Sequence, residues 1–164
     1  MKFLYVGRLI DIKNVRMLVE VFNANGLLLT IAGKGHLEDE LKRRAKSNIT
    51  FLGFVDNKDL TSVYKLHDIF ILPSLSEPWG LVVEEALYGG CVLLLSERVG
   101  SSQELLIEPG TGMAFNPTNI ASLQLAIDDV TTNYAKYKQN VETYDLDKKD
   151  FNQILAYTEG IFKK

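Results

Sequence analysis

One cysteine, Cys91, stands in a chain of 164 residues, so no disulfide can form within it. That count fits a reducing compartment. The two histidines, His36 and His67, lie apart from Cys91 and from each other, without the spacing of a metal-ligand set. Positive charge is not in excess. Lysine and arginine number 18 against 21 acids, a net charge of -3, which leaves no broad cationic field for nucleic acid or an anionic membrane. No apolar run approaches the ~18 residues of a spanning helix. The opening MKFLYVGRLI is interrupted at Gly7-Arg8, too early for the apolar stretch of a signal peptide, and no small-residue cleavage site follows. A cytoplasmic location is the expectation. Also missing are a GxSxG nucleophile elbow, a Cys/His nucleophile pair and a phosphate-binding GxxxxGK loop.

Apolar residues make up 46% of the chain, enough for a substantial core and too many for general disorder. The length predicts one domain, residues 1–164. Short apolar runs alternate with segments of helical period. Strands are expected at Phe3-Leu4-Tyr5-Val6, Leu27 to Ala32, Ile49 to Phe51, Ile69 to Leu72, Cys91 to Leu95 and Met113 to Phe115. Val15, Leu18, Val19 and Phe22 recur at i, i+3, i+4, i+7 behind Asn14, a candidate cap. His36 to Lys46 places acids before bases, and Glu38–Lys42, Asp39–Arg43 and Glu40–Arg44 are i,i+4 pairs. Leu60, Val63, Tyr64 and His67 make another stripe. Gly80 to Tyr88, Ile120 to Val130 and Phe151 to Ile161 complete the helices. Thr131 to Asp150 is polar and reads as a solvated helix plus a loop. Strand–helix repetition with uninterrupted apolar strands predicts an α/β, Rossmann-like doubly wound parallel sheet of about six strands.

In such a sheet, of order 3-2-1-4-5-6, ligands bind at the carboxyl edge between strands 1 and 4. The loops there are Gly7 to Asn14 and Pro73 to Gly80. Arg8 and Lys13 face a helix start whose amides at Gly80, Leu81 and Val82 add partial positive charge. Together they form a candidate diphosphate cradle; solvated loop cations are the plain alternative. Glu77 and Glu85, with seven residues between them, flank the cradle, Glu85 about 7.5 Å along the helix. Carboxylates suit vicinal diols, because each oxygen accepts a charged hydrogen bond. The alternatives are a turn residue at Glu77 and a surface residue at Glu85, beside the equally acidic Glu84. The Gly33-Lys34-Gly35 turn follows strand 2 rather than strand 1, which disfavours a nicotinamide site.

These residues resemble a family. Gly7-Arg8-Leu9 with Lys13, Phe51-Leu52-Gly53-Phe54-Val55, and the run from Leu72-Pro73-Ser74 through Glu77-Pro78-Trp79-Gly80-Leu81-Val82 to Glu85-Ala86 are similar to the C-terminal, donor half of retaining GT-B glycosyltransferases, family 4 above all. The likeness continues through Gly90-Cys91-Val92, Ser96 to Gly100 and Gly110-Thr111-Gly112. It implies that Arg8 and Lys13 neutralise the donor diphosphate, that Glu77 holds hydroxyls of the transferred sugar and that Glu85 binds the ribose. It implies that Leu81 and Val82 give amides to phosphate, that Gly7 lines the same turn, and that Phe54 and Val55 meet the base edge. The partner is then a nucleoside-diphosphate sugar, with no metal or other cofactor required and no membrane contact from this domain. Cys91 stands where the family commonly has proline. The acceptor-binding domain that precedes this half in the family has no counterpart before strand 1. The expectation is therefore an excised domain that binds donor but transfers no sugar alone. A non-catalytic nucleotide or nucleotide-sugar binding module on the same fold and an epimerase of similar architecture are the alternatives.

Overall fold

The computed structural model describes residues 1–144. Its strands are β1 (Lys2–Val6), β2 (Leu28–Ala32), β3 (Ile49–Gly53), β4 (Ile69–Leu72), β5 (Val92–Ser96) and β6 (Gly112–Phe115), and they form one parallel sheet of order β3-β2-β1-β4-β5-β6. The helices are α1 (Val15–Asn25), α2 (Glu38–Arg44), α3 (Asn57–Lys65), α4 (Leu81–Tyr88), α5 (Ile120–Thr132) and α6 (Tyr134–Thr143). This is the doubly wound α/β architecture expected from the alternation of strand and helix.

The central strands explain the continuous apolar runs. Every residue of β4 and β5 is buried, so both faces of each strand need apolar side chains. Right-handed crossovers place the helices before and after the reversal of strand order on opposite faces. On one side α1 touches α2 and α5; on the other α3 touches α4. Phe3 of β1 meets Phe22 of α1 edge to face, with ring centroids 5.0 Å apart. The Cys91 thiol is buried, which pushes its pKa up to about 12 and leaves it a small apolar filler.

Three local expectations are corrected. Asn14 stands at the start of α1 but does not cap it with its side chain. Its backbone is left-handed (φ 55°), and its amide turns away to other loops. Of the three ion pairs expected on α2, Lys42–Glu38 and Arg44–Glu40 form, at 2.7 and 3.2 Å, whereas Arg43 stays exposed without Asp39. The solvated helix expected in the polar stretch forms as α6, but it is not solvated all round, since it buries Tyr137 and Val141, and residues 145–150 of that stretch lie outside the described residues. Two elements had no signature in the pattern: a 3-10 turn, Asp11–Lys13, and one π-helical turn, Gln103–Ile107. The helix expected over Phe151 to Ile161 lies outside the described residues. Among the described residues, no helix is long and apolar enough to cross a membrane.

Candidate functional site at the carboxyl edge

Parallel strands bring their carboxyl ends to one edge, and here the loops at that edge are bonded to one another. The Leu9 amide donates to the Lys34 carbonyl at 2.9 Å and the Leu37 amide to the Leu9 carbonyl at 3.1 Å, joining the loops after β1 and β2. The Leu75 amide donates to the Ile12 carbonyl at 2.8 Å, joining those after β1 and β4. The Glu77 amide donates to the Arg98 carbonyl, and the Gly100 amide donates back to the Glu77 carbonyl, joining those after β4 and β5. Asn14 spans three loops at once. Its Nδ2 donates to the Pro73 carbonyl at 3.3 Å and the Pro117 carbonyl at 2.8 Å. Both partners are acceptors, so the NH2 group must face them.

The Gly33-Lys34-Gly35 turn has a packing reason. A Cβ on Gly33 would stand 1.9 Å from the Gly7 carbonyl oxygen, and one on Gly35 2.2 Å from that of Leu9. These glycines let the second loop lie directly on the first.

Lys13 leaves the 3-10 turn and pairs with Glu77 across the switch point between β1 and β4. Their side chains are only 15% and 14% exposed, so each charge depends on the other for compensation. Arg8 is exposed, and its guanidinium has no ion-pair partner among the described residues. Beneath them the buried Tyr5 hydroxyl donates to the Arg8 carbonyl at 2.9 Å. Burial raises the Tyr5 phenol, the Glu77 carboxylate adds to the rise, and Arg8 opposes it. Tyr5 therefore stays neutral beside Arg8 and Glu77. Ser74, fully buried in the loop after β4, keeps a hydroxyl without a partner among the described residues.

Gly80 precedes α4 in a left-handed conformation (φ 88°), and a Cβ there would stand 3.2 Å from Glu77 Cγ. The first amides of α4, at Leu81 and Val82, have no carbonyl one turn earlier in the helix to receive them. They begin the helix four residues after Glu77 in the chain, where an anion gains from both amide and dipole. Trp79 is held by its indole N–H, which donates to Glu84 Oε1 at 2.7 Å. The Ser101 hydroxyl donates to the Trp79 carbonyl at 2.6 Å.

Glu85 engages a different element. Its Oε2 accepts a 2.9 Å hydrogen bond from the Tyr64 hydroxyl of α3. Burial pushes its carboxyl above the ordinary range; the Tyr64 hydrogen bond pulls it down, and Glu84 pushes it up again. Gly53 ends β3, and Phe54 and Val55 follow it at the same edge. Phe54 is 67% exposed, Val55 packs on the core, and the Gly53 carbonyl accepts from the Gly33 amide at 2.7 Å.

The structure thus joins Lys13 to Glu77 directly and sets Gly80 against Glu77, while Glu85 is bound to α3. Sequence reasoning missed Tyr5, Tyr64 and the bridging role of Asn14. For Tyr64 the helical stripe signalled burial but not the hydroxyl's partner. Among the described residues, no group of three or more His, Cys, Asp or Glu side chains is placed to hold a metal ion. A surface depression on β6 and α5, lined by Met113, Asn119, Ser122, Leu125 and Asp129, shares no residue with these loops.

Known proteins resemble this chain in sequence and in fold. The family described as glycosyl transferases group 1 matches residues 1–144. An uncharacterised glycosyltransferase of Methanocaldococcus jannaschii is 28% identical over 98% of this chain and 44% of its own length. A glycogen synthase of Mycobacterium tuberculosis is 34% identical over 79% of this chain and 33% of its own. The chain therefore spans less than half the length of these relatives. The structure of the pneumococcal O-GlcNAc transferase in complex with UDP and GlcNAc superposes with a TM-score of 0.74 at 18% identity, over 99% of this chain and 36% of that one. At that identity the likeness establishes the fold alone, an α/β Rossmann-like fold of the kind found in GT-B glycosyltransferases.

Proposed function

The chain belongs to the glycosyl transferases group 1 family, and from that membership we propose that it is the donor-binding half of a retaining glycosyltransferase. It holds a nucleoside-diphosphate sugar and serves the transfer of that sugar to an acceptor hydroxyl in glycan or polysaccharide synthesis. The observation that carries this reading is the Lys13–Glu77 pair at the β1/β4 switch point, with the unpaired Arg8 on one loop and the Gly80 turn on the other. A cation and an acid held side by side match the two ends of the bond that breaks, diphosphate on one side and sugar hydroxyls on the other.

In this reading Arg8, Lys13 and the amides of Leu81 and Val82 receive the diphosphate. Gly7 lines the turn beside them. Glu77 holds hydroxyls of the transferred sugar, Glu85 the ribose, and the segment Phe54-Val55 the base edge. When the anomeric C–O bond breaks, its electron pair stays on the departing diphosphate. Arg8, Lys13 and the helix start stabilise that growing charge, so protein groups supply what a metal ion would otherwise supply. The acceptor hydroxyl attacks on the same face and gives its proton to the departing phosphate. An acceptor domain belongs to the part of the relatives that this chain does not span. The 164 residues alone hold the donor without transferring it.

A thermal-shift panel of UDP, GDP, ADP and their sugars tests this. Stabilisation by one base series is expected, about 2.7 kcal/mol at a hundredfold excess over Kd. No stabilisation by any of them contradicts the reading.

A further inference from the structure

We propose that Tyr64 is a positioning residue for donor recognition: its hydroxyl fixes the Glu85 carboxylate in the orientation that reads the ribose diol. This rests on the reading of Glu85 as the ribose carboxylate.

Tyr64 is clamped at both ends. Its ring is buried and meets Phe70 of β4 edge to face, with centroids 6.0 Å apart. Its carbonyl accepts the Cys91 thiol at 3.3 Å. Its Cβ packs against the backbone at the end of α4, since a Cβ on Gly89 would stand 2.3 Å from it. A side chain so fixed presents its hydroxyl in one direction, and the partner in that direction is Glu85 Oε2.

The hydroxyl is not needed for packing. A phenylalanine would fill the same volume and make the same ring contact, without placing a phenol in the core. What the oxygen adds is a donor that holds one oxygen of the Glu85 carboxylate in place. With Oε2 engaged, Oε1 keeps its lone pairs for a ligand, and Oε2 retains one. Ordering a flexible side chain before the ligand arrives improves affinity for the groups that it contacts.

The test is a double-mutant cycle on this chain. Calorimetry measures UDP, or GDP or ADP where the thermal panel selects it, against the 2′-deoxy and 3′-deoxy forms of the same diphosphate. The quantity read is the ratio of deoxy to ribo Kd. In the unaltered chain the ratio exceeds one. E85Q brings it close to one. Y64F lowers it about three- to tenfold, and adding Y64F to E85Q changes it no further. An unchanged ratio in Y64F, with a loss of Tm alone, overturns the proposal and leaves Tyr64 as packing. A ratio that survives E85Q overturns the ribose reading itself and the proposal with it. The two failures are distinguished by which variant keeps the discrimination.

Discussion

The ammonium of Lys13 and the carboxylate of Glu77 form an ion pair between residues 64 apart in sequence, joining the loop after β1 to the loop after β4. Both groups are mostly shielded from solvent, so neither is an ordinary surface charge. On the proposed reading a bound donor shares or replaces this pair, with phosphate meeting the ammonium and sugar hydroxyls meeting the carboxylate, and without a ligand the pair keeps each charge compensated.

Removing the acid separates its two partners. Glu77→Ala is expected to weaken binding of the nucleotide sugar by about 1.5–3 kcal/mol more than binding of the free nucleotide, the range for a hydrogen bond to a charged group. Calorimetry with both ligands measures the difference. Equal losses would show that Glu77 does not touch the sugar.

Removing the cations tests the leaving-group role. In a transferase carrying this domain beside its acceptor domain, Arg8→Ala or Lys13→Ala should raise the barrier to turnover by about 2–4 kcal/mol, as for loss of one electrostatic stabiliser. Steady-state kinetics gives the value. A kcat close to that of the unaltered enzyme in both variants would make them solvated loop charges.

Glu85 predicts a pH dependence. Its carboxyl is raised by burial, so the charged form is lost at a higher pH than for an ordinary glutamate. Donor affinity should therefore fall as pH drops through a value above the usual carboxyl range. A nucleoside-diphosphate sugar suits the measurement, because its diphosphate has no group titrating near neutrality. Glu85→Gln should abolish the acid limb. A limb that persists in that variant belongs to another group.

A second pH effect concerns stability. Arg16 donates to Glu40 through Nε and Nη2, at 2.8 and 2.7 Å, and to Asp11 through Nη1 at 2.5 Å, tying the 3-10 turn and α1 to α2. The Arg16 hydrogen bonds, with Arg44 adding to them, hold Glu40 down to about 2, below its usual 4.5. A lowered acid stabilises the fold above its unfolded pKa and loses that contribution as pH falls through the folded value. Arg16→Met should therefore lower Tm at neutral pH, with the gap from the unaltered chain closing toward pH 2. A gap independent of pH would show that Arg16 acts through its apolar stem.

The sheet order was legible because β1, β4 and β5 are uninterrupted apolar runs, and only a sheet covered on both faces makes use of such strands. That order located the switch point, and with it Lys13, Glu77 and Gly80 as candidate site residues. Their pairing was not legible, since no local pattern reports a contact between residues 13 and 77. Asn14 misled because asparagine before an apolar stripe favours a cap. Its left-handed backbone sends the amide to Pro73 and Pro117 instead. Tyr64 shows the same limit. Periodicity reports which face of a helix is buried, and it is silent on where a hydroxyl on that face finds its acceptor.

The most direct test of the account is the location of a bound nucleoside diphosphate. Backbone chemical-shift mapping of this chain with the diphosphate chosen by the thermal panel should move Gly7, Arg8, Lys13, Gly80, Leu81 and Val82, the two loops at the β1/β4 switch point. Shifts confined to Gly33-Lys34-Gly35, or to the depression on β6 and α5, would contradict it.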